Sequence, residues 1–232
     1  MDRKAFSLLH AMEDSWWYRG RAKVVEAALS HIRTTQERAL DVGAGYGGMF
    51  STFARYARII DATEPDSESR ERARARGYMN VYSDLDELKS PYNLIGLFDV
   101  LEHIEDDAAL LANLHSKLNE RGYLALTVPA FQWLWSEHDV LHHHFRRYTR
   151  SSLKKVLEAA GFEVIYMSYW NLVLFIPAAV IRLLGRSGSS SLTLPRFLDS
   201  IFFSIVYIES LYIPWLRLPF GTGIVALARK KI

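Results

Sequence analysis

Residues 39–50 read Ala39-Leu40-Asp41-Val42-Gly43-Ala44-Gly45-Tyr46-Gly47-Gly48-Met49-Phe50, and this stretch decides the fold. Its first four residues are typical of the end of a buried strand, and from about Met49 the pattern becomes helical. The glycines between them permit positive φ angles and let a ligand approach the backbone closely. A strand, a glycine turn and a helix N-terminus together form the nucleotide cradle of an open parallel sheet. We therefore expect an α/β fold with a nucleotide-binding turn at this point.

Two glycine fingerprints overlap in the turn. Gly43-x-Gly45-x-x-Gly48 fits the dinucleotide fingerprint, which would make the protein a nicotinamide-dependent oxidoreductase. Asp41-x-Gly43-x-Gly45-x-Gly47 instead places an acid two residues before the first glycine, which suits a ligand with positive charge near the turn. This second pattern resembles the first motif of the class I S-adenosylmethionine (SAM) methyltransferases. The resemblance implies that SAM is the cofactor and that it contacts Asp41, Gly43, Ala44, Gly45 and Gly47.

The composition limits the class of protein. The chain has 232 residues, of which half are hydrophobic, so it is long enough for one α/β domain with an elaboration. It contains no cysteine, which excludes disulfides, thiolate metal sites and a cysteine nucleophile. The first residues are charged and lack the apolar run of a signal peptide, so we expect a cytoplasmic protein.

Strand and helix patterns alternate along the chain. The predicted strands after the first lie near residues 57–63, 80–82, 92–104 (running into a loop), 123–128, 162–167 and 221–229. The predicted helices lie at 3–14 and 19–33, which form an N-terminal cap over residues 1–33, and at 67–76, 106–119 and 151–160. Alternation at this spacing predicts a parallel sheet that is covered by helices on both faces.

Acidic residues follow the second and third predicted strands. Glu64 lies 19 residues after Gly45, close to the spacing at which an acid binds the two ribose hydroxyls of a nucleoside, and Pro65 follows it. Ser83 and Asp84 follow the third strand. The family resemblance implies that an acid here contacts adenine, whereas the residue types are equally typical of a turn or a helix cap.

The fourth strand runs into Phe98-Asp99-Val100-Leu101-Glu102-His103-Ile104-Glu105-Asp106-Asp107. This run resembles the fourth-strand motif of small-molecule methyltransferases such as the ubiquinone-pathway O-methyltransferases. The resemblance implies a Rossmann-like, seven-stranded, mostly parallel sheet of order 3-2-1-4-5-7-6, in which Phe98 and Asp99 lie at the cofactor. The Asn/Asp-Pro-Pro-aromatic signature of nucleic-acid amine methylation is absent, so we expect no nucleic-acid partner.

An aromatic segment precedes the second predicted helix. Paired tryptophans are most often core packing. Aromatic faces can also lie against a sulfonium, and arginine can bind a carboxylate. In relatives of the resembled family a segment of this kind covers the SAM pocket, which implies that Trp17, Tyr18 and Arg19 contact the cofactor.

Four of the eight histidines lie between residues 138 and 144, just past the fifth predicted strand. Ligands of open α/β sheets bind at this edge. His138 and His142 could share a metal with Asp139, but no further carboxylate–histidine pattern supports one and we expect none. A histidine that takes a proton from the acceptor near neutral pH fits better, and His103 and His144 are the catalytic candidates.

The segment around these histidines, Trp135-Ser136-Glu137-His138-Asp139-Val140-Leu141-His142-His143-His144-Phe145-Arg146-Arg147-Tyr148-Thr149, resembles a stretch that flanks the acceptor pocket in bacterial relatives. The resemblance implies that the acceptor contacts His138, Asp139, Arg147 and Tyr148.

A helical insertion at residues 169–220 separates the last two strands. Its two apolar runs, 171–184 and 197–215, flank a Gly185–Ser191 linker, and both contain charged residues, so neither is expected to span a membrane. Residues 145–232 carry 12 basic and 4 acidic side chains, against 16 and 22 in residues 1–144. We expect extra core, a lid over a lipophilic acceptor or an element that touches the membrane surface.

Together these patterns predict a single methyltransferase domain over residues 1–232. It would transfer a methyl group from SAM to a small or lipid-linked acceptor, most simply at oxygen. A nicotinamide-dependent oxidoreductase and a catalytically silent partner protein with the same fold are the alternatives.

Overall fold

The computed structural model describes residues 15–88, 91–184 and 195–231. Seven strands form one sheet of order β3-β2-β1-β4-β5-β7-β6, which confirms the predicted order. β7 is antiparallel to both of its neighbours, and the other adjacent pairs are parallel. The strands are β1 Gln36–Val42, β2 Ala57–Thr63, β3 Val81–Tyr82, β4 Tyr92–Phe98, β5 Leu118–Pro129, β6 Phe162–Trp170 and β7 Gly223–Lys230.

Helices cover the sheet in the part of the chain that the structure describes. They are α1 Trp16–Leu29, α2 Phe50–Phe53, α3 Ser67–Arg76, α4 Asp107–Lys117, α5 Glu137–Leu141, α6 Arg150–Ala159, α7 Leu172–Leu183 and α8 Arg196–Tyr212, with 3-10 turns at Leu101–His103 and Gln132–Leu134. The last four residues of β1 and most of β4 are buried, as strands in a parallel sheet between helix layers must be. The predicted helix at 3–14 and the predicted Gly185–Ser191 linker lie outside the described residues.

Two boundaries differ from the predictions for identifiable reasons. β5 starts at Leu118 instead of near residue 123, because Arg121 has a φ of 59° and absorbs an irregularity in the pairing with β4. The Arg121-Gly122 pair therefore interrupts a strand, whereas the sequence predicted a connection between the helix at 106–119 and a strand that starts at residue 123. α1 begins at Trp16 and so includes the aromatic segment that was predicted to lie between two helices.

The inserted helices α7 and α8 lie between β6 and β7 in the chain and pack on other parts of the fold. Gly20 in α1 permits a close crossing with α8, because a Cβ at this position would lie 2.8 Å from a methyl carbon of Val206. Asp199 in α8 accepts a hydrogen bond from the Trp16 backbone N–H at 2.7 Å. Within the described residues, no helix has the length and apolar character needed to cross a bilayer.

Candidate active site

A cavity of about 1070 Å³ opens at the carboxyl edge of the sheet. It extends from the glycine turn after β1 to the histidines that follow β4 and β5, and α1 and α7 form part of its wall. Ligands of open α/β sheets bind at this edge because the loops that leave parallel strands converge there.

The glycine turn forms one end of the cavity. Gly43, Gly45 and Gly47 have φ angles of 68°, 54° and 84°, which strongly favour glycine. A Cβ at Gly45 would meet nothing within 4 Å, so the backbone is open to a ligand there. Of the predicted turn contacts, Gly43, Ala44 and Gly45 line the cavity, whereas Gly47 faces Tyr78 and helix α3.

Glu64, the acid predicted to bind the ribose hydroxyls, is fixed against the glycine turn. Its carboxylate accepts hydrogen bonds from the backbone N–H groups of Gly45 at 2.9 Å and Asp66 at 3.0 Å. The residue is buried and lines the cavity together with Pro65. Burial raises the pKa of Glu64, although these hydrogen bonds oppose the shift.

Asp41 is a second buried acid at the same end. It is 2% exposed, and Tyr78 donates a hydrogen bond to its Oδ2 at 2.5 Å. Burial raises the pKa of Asp41 to about 7, against the opposing effects of Tyr78 and Arg21. A buried carboxyl group with a raised pKa favours a positively charged ligand, because such a ligand stabilises the ionised form.

Helix α1 covers this end with an arginine that the sequence analysis missed. Trp17, Tyr18 and Arg21 line the cavity. Arg19 lies outside the lining, paired with Asp199 of α8 at 2.5 Å. Residues 17 and 21 share one face of a helix, and that spacing could have indicated Arg21.

The Arg21 guanidinium is held between an acid and an aromatic ring. It donates to Asp99 Oδ2 at 2.6 Å and lies 4.9 Å from the centre of the Tyr18 ring. Asp99 in turn accepts a hydrogen bond from the Thr127 hydroxyl at 2.9 Å and lines the cavity beside Phe98. The Nε of Arg21 is buried and has no hydrogen-bond partner among the described residues.

The structure does not bring Ser83 and Asp84 into the cavity lining. Asp84 is exposed, and its Oδ1 accepts backbone hydrogen bonds from Asp86 at 2.8 Å and Glu87 at 3.3 Å. The Ser83 hydroxyl donates to the Glu87 carboxylate. These side chains stabilise a local turn, the alternative that their residue types left open.

The segment after β5 is organised around a buried carboxylate. Asp139 is fully buried and receives the Arg147 side chain through Nε at 2.7 Å and Nη2 at 2.8 Å. His144 Nδ1 lies 2.9 Å from the same carboxylate, and the backbone N–H and hydroxyl of Ser136 also donate to it. Burial alone would raise the pKa of Asp139, but the hydrogen bonds from His144 and Arg147 hold it well below its usual range.

Asp139 and Tyr148 therefore lie behind the cavity surface, whereas His138 and Arg147 line it. The Tyr148 hydroxyl is buried and donates to Asp107 Oδ2 at 2.7 Å. Of the four predicted acceptor contacts, the structure thus places two in the cavity lining and two behind it, where they hold the lining residues in position.

Histidines form the opposite end of the cavity from the glycine turn. The His103 and His144 rings meet edge to face with centres 4.5 Å apart, and those of His138 and His142 lie 4.2 Å apart. Burial, reinforced by the neighbouring His144, lowers the pKa of His103 to about 4. The expected titration near neutral pH is therefore wrong for His103, whose ring is neutral at pH 7.

Glu102 is a cavity residue that the sequence analysis passed over. It is 1% exposed, and its Oε2 has no hydrogen-bond partner among the described residues. Burial, with the nearby charge of Asp99, raises the pKa of Glu102 well above its ordinary value. Its position next to His103 in the fourth-strand motif was a signal that could have identified it.

The fold and the site together define a class of protein. The sheet order is that of the Rossmann-like methyltransferases. The open glycine backbone and the buried acids Asp41 and Glu64 fit a nucleoside that carries positive charge, as SAM does.

Comparison with protein families gives the more specific assignment. Residues 16–167 match the family described as "Methyltransferase domain", so the chain belongs to that family. The predicted enzyme class, a SAM-dependent methyltransferase, and the predicted cofactor are thereby confirmed. None of the curated protein sequences matches the chain.

Solved structures share the fold at low sequence identity. N-methyltransferase NodS from Bradyrhizobium japonicum WM9, in complex with S-adenosyl-L-homocysteine, has a TM-score of 0.61 at 13% identity over 99% of each chain. A methyltransferase complexed with the Haloferax volcanii Trm112 activator has a TM-score of 0.64 at 15% identity, over 96% of this chain and 93% of that one. The plantazolicin methyltransferase BpumL, in complex with a triazolic desmethylPZN analogue and S-adenosyl-L-homocysteine, has a TM-score of 0.62 at 12% identity, over 99% of this chain and 91% of that one.

We expect Asp139→Asn to lower the free energy of unfolding by about 3–5 kcal/mol at pH 7, because it leaves Arg147, whose side chain is only 11% exposed, without its charged partner. The folded-state pKa of Asp139 is depressed, so its contribution is present above its unfolded value of 3.8 and is lost as the pH falls through the lower folded value. The difference between wild type and variant, measured by urea unfolding, should therefore be constant from pH 5 to 8 and shrink below pH 4. Glu137→Gln, an exposed neighbour, is the control; an equal loss in both variants would contradict the assignment.

Proposed function

We propose that the protein transfers the methyl group of SAM to a hydroxyl oxygen of a small or lipid-linked acceptor. The observation that carries this proposal is a single cavity that joins the acids of the glycine turn to the histidines after β4 and β5. The end with the acids suits binding of SAM, and the end with the histidines suits removal of the acceptor's hydroxyl proton. The resemblance of the fourth-strand motif to that of ubiquinone-pathway O-methyltransferases supports oxygen as the acceptor atom.

The donor end has a partner for the ammonium, the carboxylate and the ribose hydroxyls of SAM. Asp41 binds the methionine ammonium, because its buried carboxylate is stabilised by a positive charge. Arg21, which lines the cavity, binds the methionine carboxylate, a role that the sequence had suggested for Arg19. Glu64 binds the ribose hydroxyls, and Trp17 and Tyr18 cover the ligand with aromatic surface.

The acceptor end carries the proton chemistry. When bound, SAM supplies an electrophilic methyl carbon on a sulfonium. The acceptor oxygen bonds to that carbon as the carbon–sulfur bond breaks, the sulfur leaves as a neutral thioether, and the hydroxyl proton must be removed. His103 and His144 are the catalytic residues for this removal, since both line the cavity and His103 is neutral at pH 7.

Nitrogen and peptide acceptors are the other outcomes to test. NodS is an N-methyltransferase and BpumL acts on plantazolicin, so this fold accommodates such acceptors in other proteins. A neutral amine needs no proton removed before it attacks, so it would make less use of the buried acid–histidine arrangement.

SAM should bind more weakly as the pH falls from about 7.5 to 5.5. The ammonium needs ionised Asp41, whose pKa is about 7 in the ligand-free protein, so binding at lower pH must release a proton and loses up to about tenfold in affinity per pH unit. Titration calorimetry should show this slope in wild type and a much flatter one in Asp41→Asn, with affinity at pH 7.5 weakened by about 1–3 kcal/mol. Asp84→Asn should retain the wild-type slope and affinity; a loss equal to that of Asp41→Asn would return Asp84 to the cofactor site. NAD should not raise the melting temperature of wild type or of either variant.

Methyl transfer should fail when His103 or His144 is replaced by Ala, while SAM binding remains. We expect rate losses of about 10²–10⁴-fold, the usual contribution of general acid–base catalysis. The measurement is transfer of label from methyl-labelled SAM into a lipid extract and an aqueous extract, followed by hydrolysis tests that separate ethers, esters and amines. Label on nitrogen would overturn the choice of oxygen. Tight SAM binding with no labelled product in either extract would favour the silent partner protein.

The inserted helices suggest where a lipid-linked acceptor would come from. Large apolar side chains on α7, on α8 and after α8 are exposed, and Trp215 is 85% exposed. The most exposed of them are Ile176, Leu183, Phe197, Ile208, Tyr212, Trp215 and Leu216. We propose that this surface lies on anionic lipid, with the cavity opening next to it through Leu174 and Ala178 of α7.

The charges of the same region are complementary to an anionic surface. Its two acidic residues are engaged within the fold: Asp199 pairs with Arg19, and Glu209 accepts hydrogen bonds from the first backbone N–H groups of α7. Arg196 and Arg217 are exposed beside the apolar side chains. Exposed apolar area combined with basic charge is what binding to the membrane interface requires.

Co-sedimentation with vesicles tests this surface. Wild type should sediment with anionic vesicles at low salt, less at 0.5 M salt and little with neutral vesicles, because screening weakens the attraction of Arg196 and Arg217. Changing Phe197, Ile208 and Trp215 together to Ser should abolish sedimentation, whereas Met79→Ser, an exposed apolar residue elsewhere, should not. Equal sedimentation of the triple variant would contradict the proposal. Absence of wild type from every pellet would do the same.

A further inference from the structure

Three groups that can bind a metal ion meet at the acceptor end of the cavity. One ligand atom from each of Glu102, His103 and His144 lies within 4.8 Å of the other two. Glu102 and His103 leave the carboxyl end of β4 in the 3-10 turn Leu101–His103, whereas His144 comes from the loop that precedes α6. The backbone N–H of Phe145 donates to the Glu102 carbonyl at 2.7 Å, so the two segments are joined at this point.

An independent observation at the same place indicates a missing cationic partner. Glu102 is 1% exposed and lines the cavity, but its Oε2 accepts no hydrogen bond from the described residues. The two arginines whose charges act on Glu102 are already paired: Arg21 donates to Asp99, and Arg147 donates to Asp139. A buried carboxylate oxygen without a partner is costly, and a bound cation would offset that cost.

We propose that Glu102, His103 and His144 bind one divalent transition-metal cation of the Zn²⁺ type. Two imidazole nitrogens and one carboxylate oxygen suit such ions, whereas Mg²⁺ and Ca²⁺ prefer ligand sets made of oxygen. Three protein ligands leave a coordination position open toward the cavity, which is the arrangement of catalytic sites rather than structural ones. Bonds of about 2.0–2.2 Å require the three ligand groups to approach each other slightly from their present spacing.

The supports of the two histidines match those of metal-binding imidazoles. Histidine ligands usually bind the metal through one ring nitrogen while the other is held by a carboxylate or a backbone carbonyl. His144 has this arrangement, since Asp139 engages Nδ1 and leaves Nε2 for a cation. The His103 ring forms a hydrogen bond with the backbone of His142.

This site differs from the metal set that the sequence alone suggested. Asp139 cannot serve as a ligand with His138 and His142, because Arg147, His144 and Ser136 already occupy both of its oxygens. Glu102 becomes a candidate only because the fold brings the loop after β5 against the end of β4.

The role of the cation rests on the proposed function. In the open coordination position the cation would bind the acceptor hydroxyl oxygen and lower its pKa. The proton then leaves to solvent, the ionised oxygen bonds to the methyl carbon, and the carbon–sulfur bond breaks. With the cation bound, Glu102, His103 and His144 would be catalytic residues as its ligands, and the cation would activate the hydroxyl in place of a histidine base. Asp139 would be a positioning residue that acts through His144.

The test measures metal binding with no SAM and no acceptor present. Metal-free protein is titrated with Co²⁺, followed by its visible absorption, and with Zn²⁺, followed by calorimetry and metal analysis after dialysis. Wild type should bind one equivalent with an imidazole–carboxylate spectrum, and Mg²⁺ should not compete at equal concentration. Glu102→Gln, which keeps the side-chain shape, and His144→Ala should weaken binding by at least about 100-fold, the upper limit for loss of an outer-shell partner.

His142→Ala and His138→Ala are the matched controls, because their rings line the same cavity outside the proposed ligand set. Both should bind Co²⁺ with nearly the wild-type affinity. SAM binding by each variant reports whether it is folded. Failure of folded wild type to retain one equivalent would overturn the site, and so would unchanged binding by Glu102→Gln or an equal loss in His142→Ala. Full methyl transfer by metal-free protein would overturn the role of the cation and leave the proposed function intact. Metal binding without any methyl transfer would overturn the proposed function and leave only the metal site.

Discussion

The rest of the site depends on an excess of buried carboxyl groups at one edge of the sheet. Asp41, Glu64 and Glu102 are each at most 5% exposed and face one cavity, and burial raises the pKa of all three. The basic side chains nearby are committed to other acids, Arg21 to Asp99 and Arg147 to Asp139. Such a cavity favours cationic ligands, because they recover the free energy that desolvation of the carboxylates costs. The donor's positive charge at one end and a metal cation at the other would meet this need.

The sheet places these acids together through its register. Asp41 in β1 is paired with Gly96 in β4, so the chains leave both strands at the same edge. Glu64 follows β2 and reaches across to the backbone of Gly45, while Asp99 follows β4 and accepts from Thr127 in β5. Parallel strands with short loops therefore concentrate acidic side chains at one edge without any long-range sequence motif. Backbone hydrogen bonds to Glu64 and the ion pair of Arg21 with Asp99 offset part of the free energy that burying these acids costs.

Distant segments close the cavity over this edge. Helix α1 supplies Trp17, Tyr18 and Arg21, and it is held in place by α8 through the Gly20–Val206 contact and the Arg19–Asp199 pair. Glu209 of α8 accepts from the first backbone N–H groups of α7, which also lines the cavity. The exposed apolar surface and the donor cover are thus parts of one packed unit, so binding of that surface to lipid would act directly on the cavity wall.

The sequence by itself determined the features that depend on neighbours along the chain. The acid and glycines of residues 41–47 and the spacing to Glu64 follow strand ends, whose positions the apolar pattern predicts, and the family resemblance supplied the sheet order. Only the tertiary structure decided which side chains face the cavity. It placed Arg21 there instead of Arg19, left Asp84 in a local turn, buried Asp139 as a support, and joined Glu102 to His144. These outcomes depend on contacts between residues far apart in the chain, and desolvation and pairing of charges arise only once those contacts form.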